Sequence, residues 1–169
     1  AATASSTDEI SAGLEKFAAV SNTVGLSYEY ATSALATVTA TTRQSADVVG
    51  TAFKTLFARI QDLELGKTLD DGTTLGKYSQ ALETVGVSIK TADGGLREMD
   101  DILSDLGEKW NSFDAEGNPL ISDDAKVALA QTVAGVRQYT QLIALMDNWD
   151  FMKENLETAR NATGTLNEQ

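Results

Sequence analysis

Residues 45–66 read SADVVGTAFKTLFARIQDLELG, and this stretch decides the fold class. Val49, Ala52, Phe53, Leu56, Ile60 and Leu63 recur at three- and four-residue spacing, while Asp47, Lys54 and Gln61 fall opposite. That is the pattern of an amphipathic helix with one face on a core. Ser45 offers a side-chain oxygen to the first free N–H groups, and the helix ends near Gly66.

The same period continues upstream. Thr7 or Asp8 can cap a helix carrying Ile10, Leu14, Phe17 and Val24, which Gly25 closes. Ser27 can cap a second with Tyr28, Ala31, Leu35 and Val38. Residues 31–42 are mostly Ala and Thr, and Thr is a poor interior helix former, so this helix depends on its packing.

Downstream, Asp70-Asp71-Gly72 reads as a turn, and a fourth helix carries Leu75, Tyr78, Leu82 and Val85 as far as Gly86. Val87-Ser88-Ile89-Lys90 alternates with period two and Ala92-Asp93-Gly94-Gly95 is a turn sequence, so the spacing predicts a small β-hairpin over 87–98. A competing reading runs the next helix back to Leu96. In the favoured reading Asp100 caps the fifth helix, with Met99, Ile102, Leu103, Leu106 and Trp110. After a loop at 113–121, Ser122 or Asp123 caps the longest helix, which runs to about Asn148. Leu129, Val133, Val136 and Ile143 form one apolar stripe on it, and Val127, Ala130, Ala134 and Leu145 a second, so it is expected to be central. The last helix carries Trp149, Met152, Leu156 and Ala159.

The expectation is a mostly α fold, about seven helices in one bundle-like unit with a small hairpin. One domain covers 9–164, between a flexible end at 1–8 and a frayed tail at 165–169. The opening Ala1-Ala2-Thr3-Ala4-Ser5-Ser6 has neither Met nor a basic region and reads as part of a longer protein.

Composition excludes several function classes. The 169 residues hold 13 Lys+Arg against 25 Asp+Glu, a net charge of −12, with no Cys and no His. Zinc fingers, haem and iron–sulfur ligation, Ser-His-Asp triads and disulfides all need residues that are missing. A charge of this sign disfavours nucleic acid and anionic membranes. An apolar share of 42% is too high for a disordered acidic tail, and no run is long and apolar enough to span a bilayer.

The motifs with chemical meaning are weak. Gly66-Lys67-Thr68 ends like a P-loop, but Gln61 stands where that motif needs Gly, and the tripeptide follows a helix rather than a strand. Asp114, Glu116 and Asn118 alternate as in a calcium loop, yet Pro119 and Ala125 occupy the positions of its Gly and Glu. The pairs Asp70/Asp71, Asp100/Asp101 and Asp123/Asp124 sit at turns and helix starts, where capping and the helix dipole account for them. Asn161-Ala162-Thr163 is a glycosylation sequon of a kind that arises often by chance. No catalytic, metal or cofactor residue is assigned.

Charge is unevenly placed. Residues 93–124 hold ten acids and two bases, whereas residues 25–61 hold two acids and three bases. Acidic caps and turns explain the first segment, and a complementary partner is the functional alternative. For Arg137, within the long helix, a structural ion pair is the plain account and self-association the alternative.

Two stretches resemble the conserved region of phage tail tape-measure proteins of the TP901 type. One runs from Ala36-Thr37-Val38 through Thr41-Thr42-Arg43-Gln44-Ser45-Ala46-Asp47 to Gly50-Thr51-Ala52-Phe53-Lys54-Thr55-Leu56-Phe57-Ala58-Arg59. The other is Val127-Ala128-Leu129-Ala130-Gln131-Thr132-Val133-Ala134-Gly135-Val136-Arg137-Gln138-Tyr139, continuing to Leu145-Met146-Asp147-Asn148-Trp149. Between them Lys77-Tyr78, Ala81-Leu82, Val85-Gly86-Val87, Leu96 to Leu103 and Trp110 keep the family's order, and the likeness covers about Glu9 to Leu166. The loop Phe113 to Ile121 is longer than usual for the family.

The resemblance implies a structural protein of phage or prophage tails, acting in virion assembly and tail-length determination, with no enzymatic activity in this segment. It implies the tail tube protein, tail assembly chaperones and baseplate or tail-tip proteins as partners, and no nucleic acid or membrane. Its place would be the tail lumen, and the host cytoplasm during assembly. The matching residues Arg43, Lys54, Arg59, Gln131, Arg137, Tyr139 and Trp149 become the candidates for interaction or structural roles. Without the resemblance, a bacterial helical interaction module such as an effector or adhesin fragment remains open, with a cell-wall hydrolase as a third class.

Overall fold

In the computed structural model, which describes residues 6–168, nine α-helices follow one another. They are α1 (Thr7–Glu15), α2 (Ala18–Thr23), α3 (Tyr28–Thr42), α4 (Ala46–Glu64), α5 (Leu75–Glu83), α6 (Met99–Trp110), α7 (Asp123–Ala134), α8 (Tyr139–Asp147) and α9 (Trp149–Glu168). Residues 1–5 of the expected flexible end, and Gln169 of the expected tail, lie outside the described residues.

The 45–66 stretch forms the central helix. Ser45 Oγ accepts from the Val48 N–H at 3.2 Å, and Val49, Phe53, Leu56, Ile60 and Leu63 are buried with Phe57. α4 packs on α1, α2, α3 and α7. Its contact with α1 is backbone to backbone. A Cβ on Gly50 would lie 2.3 Å from the Gly13 carbonyl oxygen, and one on Gly13 would lie 2.6 Å from that of Ala46. Beside this crossing the Phe17 ring meets Phe53 edge-on at 5.4 Å and stacks on Phe57 at 6.1 Å.

The Ala/Thr-rich helix α3 is stable for the reason its composition demands, close packing against α9. Most of its hydroxyls donate along the helix, Ser33 to the Glu29 carbonyl and Thr37 to that of Ser33, each at 2.7 Å, while the Thr32 hydroxyl is buried without a partner. Thr37 Oγ1 also accepts from Asn155 Nδ2 at 2.9 Å, which fixes the register of α9.

Two expected helices are each broken into two, which accounts for nine rather than seven. The first breaks at Lys16 and Phe17, whose amides bond to the Gly13 and Leu14 carbonyls in a tightened 3₁₀ turn. Phe17 takes φ −129° and ψ 9°, which turns its ring into the aromatic cluster. The expected long helix breaks at Gly135, with φ 88° and ψ 160°, a conformation reserved for glycine. The two halves therefore serve separate neighbours: α7 packs on α4 and α5, and α8 on α3 and α6. Val136, expected on a stripe, is 69% exposed.

The expected hairpin over 87–98 does not form. Among the described residues there is no strand, only single antiparallel bridges between Lys90 and Leu96 and between Phe113 and Pro119. Val87 and Ile89 are buried, but Leu96 is 41% exposed, so the return arm has no apolar face with which to extend a ladder.

Capping is largely as read. Ser27 and Ser122 accept from the N–H groups of Tyr30 and Ala125, each at 3.2 Å. Ser6, rather than Thr7 or Asp8, caps α1. Asp100 does not cap α6. Its carboxylate accepts from the Ser27 N–H at 3.0 Å, tying the start of α3 to α6, and its burial pushes its pKa above the usual carboxylate range.

Candidate interaction groove

The break at Gly135 opens a groove of about 910 Å³ between the middle of α4, the segment 67–71 and the turn 135–138. It gathers three of the seven candidates, Lys54, Arg59 and Arg137, from positions far apart in sequence.

Arg59 holds the groove together. Its guanidinium pairs with Asp71 at 2.9 Å, donates to Thr73 Oγ1 at 3.1 Å and donates to the Thr132 carbonyl at 3.0 Å. One side chain thus joins α4, the 67–73 segment and the last turn of α7, where a cation also complements the helix dipole. The Thr73 backbone N–H, donating at 3.0 Å, holds the Asp71 carboxyl below its usual range, and the Thr73 hydroxyl and Arg59 add to this. Arg59 Nε is buried without a partner.

Lys54 and Arg137 are exposed, and neither forms an ion pair among the described residues. The structural ion pair expected for Arg137 is therefore absent there. Lys67 is held at 3.3 Å by Asp62, and Asp70 stands on the rim. What the groove offers a partner is positive charge and shape.

The other four candidates lie elsewhere and have structural settings. Arg43 ends α3 in the left-handed conformation, its N–H bonded to the Thr39 carbonyl at 2.9 Å. The Gln131 carbonyl accepts the Gly135 N–H at 2.8 Å, and Tyr139 packs half-buried on the core at the start of α8. Trp149 is buried face-on against Gly107, where a Cβ would lie 2.1 Å from its ring, and its Nε1 donates to Glu108 at 3.1 Å. The sequence reading missed the matching bond at Trp110, whose Nε1 donates to Asp147 at 2.8 Å.

The acidic segment 93–124 is partly consumed by the fold. Asp93 and Asp114 close their own turns, and Asp105 lies between Arg97 at 3.2 Å and Lys109 at 2.8 Å. Glu108 meets Lys153 at 3.3 Å. Asp101, Glu116, Asp123 and Asp124 stay exposed. No group of three or more Asp or Glu among the described residues is arranged to hold a metal ion. Gly66-Lys67-Thr68 closes α4, the Lys67 N–H bonding to the Asp62 carbonyl, and does not lead directly into a helix as a phosphate cradle would.

Residues 1–135 match the model of the phage-related minor tail protein family, a span that takes in Lys54, Arg59 and the turn glycine. The chain belongs to that family. No solved structure matches it. As a phage minor tail protein it has a structural role in the phage tail, in association with other tail proteins. No helix among the described residues is long and apolar enough to cross a membrane. Val136, Arg137 and Gln138, the far wall of the groove, lie just beyond the matched span.

Proposed function

We propose that this chain is the conserved helical domain of a tail tape-measure protein, acting in tail assembly and in setting tail length. The observation that carries the reading is the ordered likeness from about Glu9 to Leu166. The family match over residues 1–135 supports the tail role on which it builds. Its mechanism is binding and templating. Tail tube protein, assembly chaperones and baseplate or tail-tip proteins are the proposed partners, in the host cytoplasm during assembly and then in the tail lumen. A net charge of −12 suits a domain in a channel that DNA must pass without being held. The test is an in-frame deletion in the repetitive part of the parent gene, with tails measured by electron microscopy. Shortened tails support the reading, and tails of unchanged length contradict it.

A further inference from the structure

The two ends of α7 carry opposite features. At its N-terminal end the turn at 113–120 projects from the core, with Phe113 65% and Leu120 55% exposed. The turn is preformed: Asp114 accepts from the N–H groups of Glu116 and Asn118 at 2.9 Å each, and the Leu120 N–H bonds to the Ser112 carbonyl at 2.9 Å. Residues 113–124 contain Asp114, Glu116, Asp123 and Asp124 and no Lys or Arg. Two large apolar side chains on one rigid acidic turn make a docking knob, with little ordering left to do on binding.

At the C-terminal end of α7 lies the groove, where, among the described residues, Lys54 and Arg137 are the cations without an ion pair and Asp70 is the one rim acid without a cation partner. Val136, 69% exposed, adds an apolar surface beside them. Its 12 residues make α7 about 18 Å long, so the knob of one copy is held away from its own groove.

We infer that the 113–120 turn of one copy docks into the groove of a second copy, head to tail along α7. Phe113 and Leu120 meet Val136, Ala58 and Leu69, the apolar side chains of the groove's lining, and Asp114 and Glu116 face Lys54 and Arg137. The two surfaces differ, so the contact is heterologous and repeats from copy to copy instead of ending at a symmetric pair. This holds for the chain whether or not it sets tail length.

The test is sedimentation of the purified 169-residue chain over a range of concentration, at low and high salt. Association that grows with concentration and weakens with salt is expected. A groove variant, Lys54→Glu with Arg137→Glu, and a knob variant, Phe113→Ser with Leu120→Ser, change only exposed positions, and each is expected to be monomeric. Mixed in equal amounts they retain one good knob and one good groove between them. The mixture is expected to stop at a 1:1 dimer, twice the 18.0 kDa of one chain. A wild-type chain that stays monomeric, variants that associate like the wild type, or a mixture that stays monomeric would each overturn the inference.

Discussion

Replacing Arg59 with Met keeps the aliphatic stem in the α4–α7 interface and removes only the guanidinium. The loss can be worked from its partners. The bonds to the Thr132 carbonyl and Thr73 Oγ1, at 3.0 and 3.1 Å, are charge-assisted and made by a side chain only 13% exposed. Such bonds contribute about 1.5–3 kcal/mol each when desolvated, and the open groove puts these at the lower end. The pair with Asp71 adds about 0–1 kcal/mol, because that carboxylate is 44% exposed and solvent-screened. Relief of the unpartnered Nε offsets about 1 kcal/mol. The net expectation is a loss of about 2–3 kcal/mol. Urea unfolding reads this as a midpoint shift of roughly 1 M, for a slope at the upper end of the small-protein range. Hydrogen exchange should quicken first at Thr73 and Gly135, whose positions depend on the tie. A loss below about 0.5 kcal/mol would show that the guanidinium bonds are surface decoration and that the groove is held by packing alone.

Gly50→Ala places a methyl 2.3 Å from the Gly13 carbonyl, so α1 must lift from α4 at a cost of about 1–3 kcal/mol. Thermal unfolding and proteolysis at α1 read it, and an unchanged melting temperature would refute the backbone-to-backbone crossing. Gly135→Ala forces a side chain into a conformation costing about 1–3 kcal/mol, although a Cβ there meets nothing nearer than 3.5 Å. Circular dichroism and melting should show a less stable protein; gained helicity with retained stability would mean that 123–147 can form one straight helix. Burial raises the Asp105 carboxyl, but Lys109 and Arg97 outweigh it and hold its pKa below the usual range. Its contribution is thus full above the unfolded carboxylate value and lost as pH falls through the folded one. The stability gap between wild type and Asp105→Asn should be widest at neutral pH and close in acid, and a gap that widens in acid would reverse this assignment.

Local chemistry is legible in the sequence at three helix starts, though not at α1, capped by Ser6, or at α6, where Asp100 bonds to Ser27 instead. Ser27, Ser45 and Ser122 cap as read because a hydroxyl beside free N–H groups needs no tertiary context. The α4 face was legible because five apolar residues keep the helical period without interruption. The break at Gly135 was hidden because apolar residues continue in period on both sides, so the pattern alone joins two helices that serve different neighbours. The hairpin was over-read for the opposite reason: Val87 and Ile89 alternate because both point into a helical core, not because a partner strand lies beside them. The family likeness marks Lys54, Arg59 and Arg137 as residues, but nothing local brings positions 54 and 137 together. Only the packing of α7 on α4 does so.

The proposed role as a ruler makes a quantitative demand on tail length, which a graded series of variants of the parent protein can meet or fail. In-frame insertions and deletions of increasing size in the repetitive region would be followed by tail lengths measured on electron micrographs. If the ruler is an extended helix, length should change linearly by about 1.5 Å per residue inserted or removed. Complete tails whose length does not follow the number of residues would contradict the account.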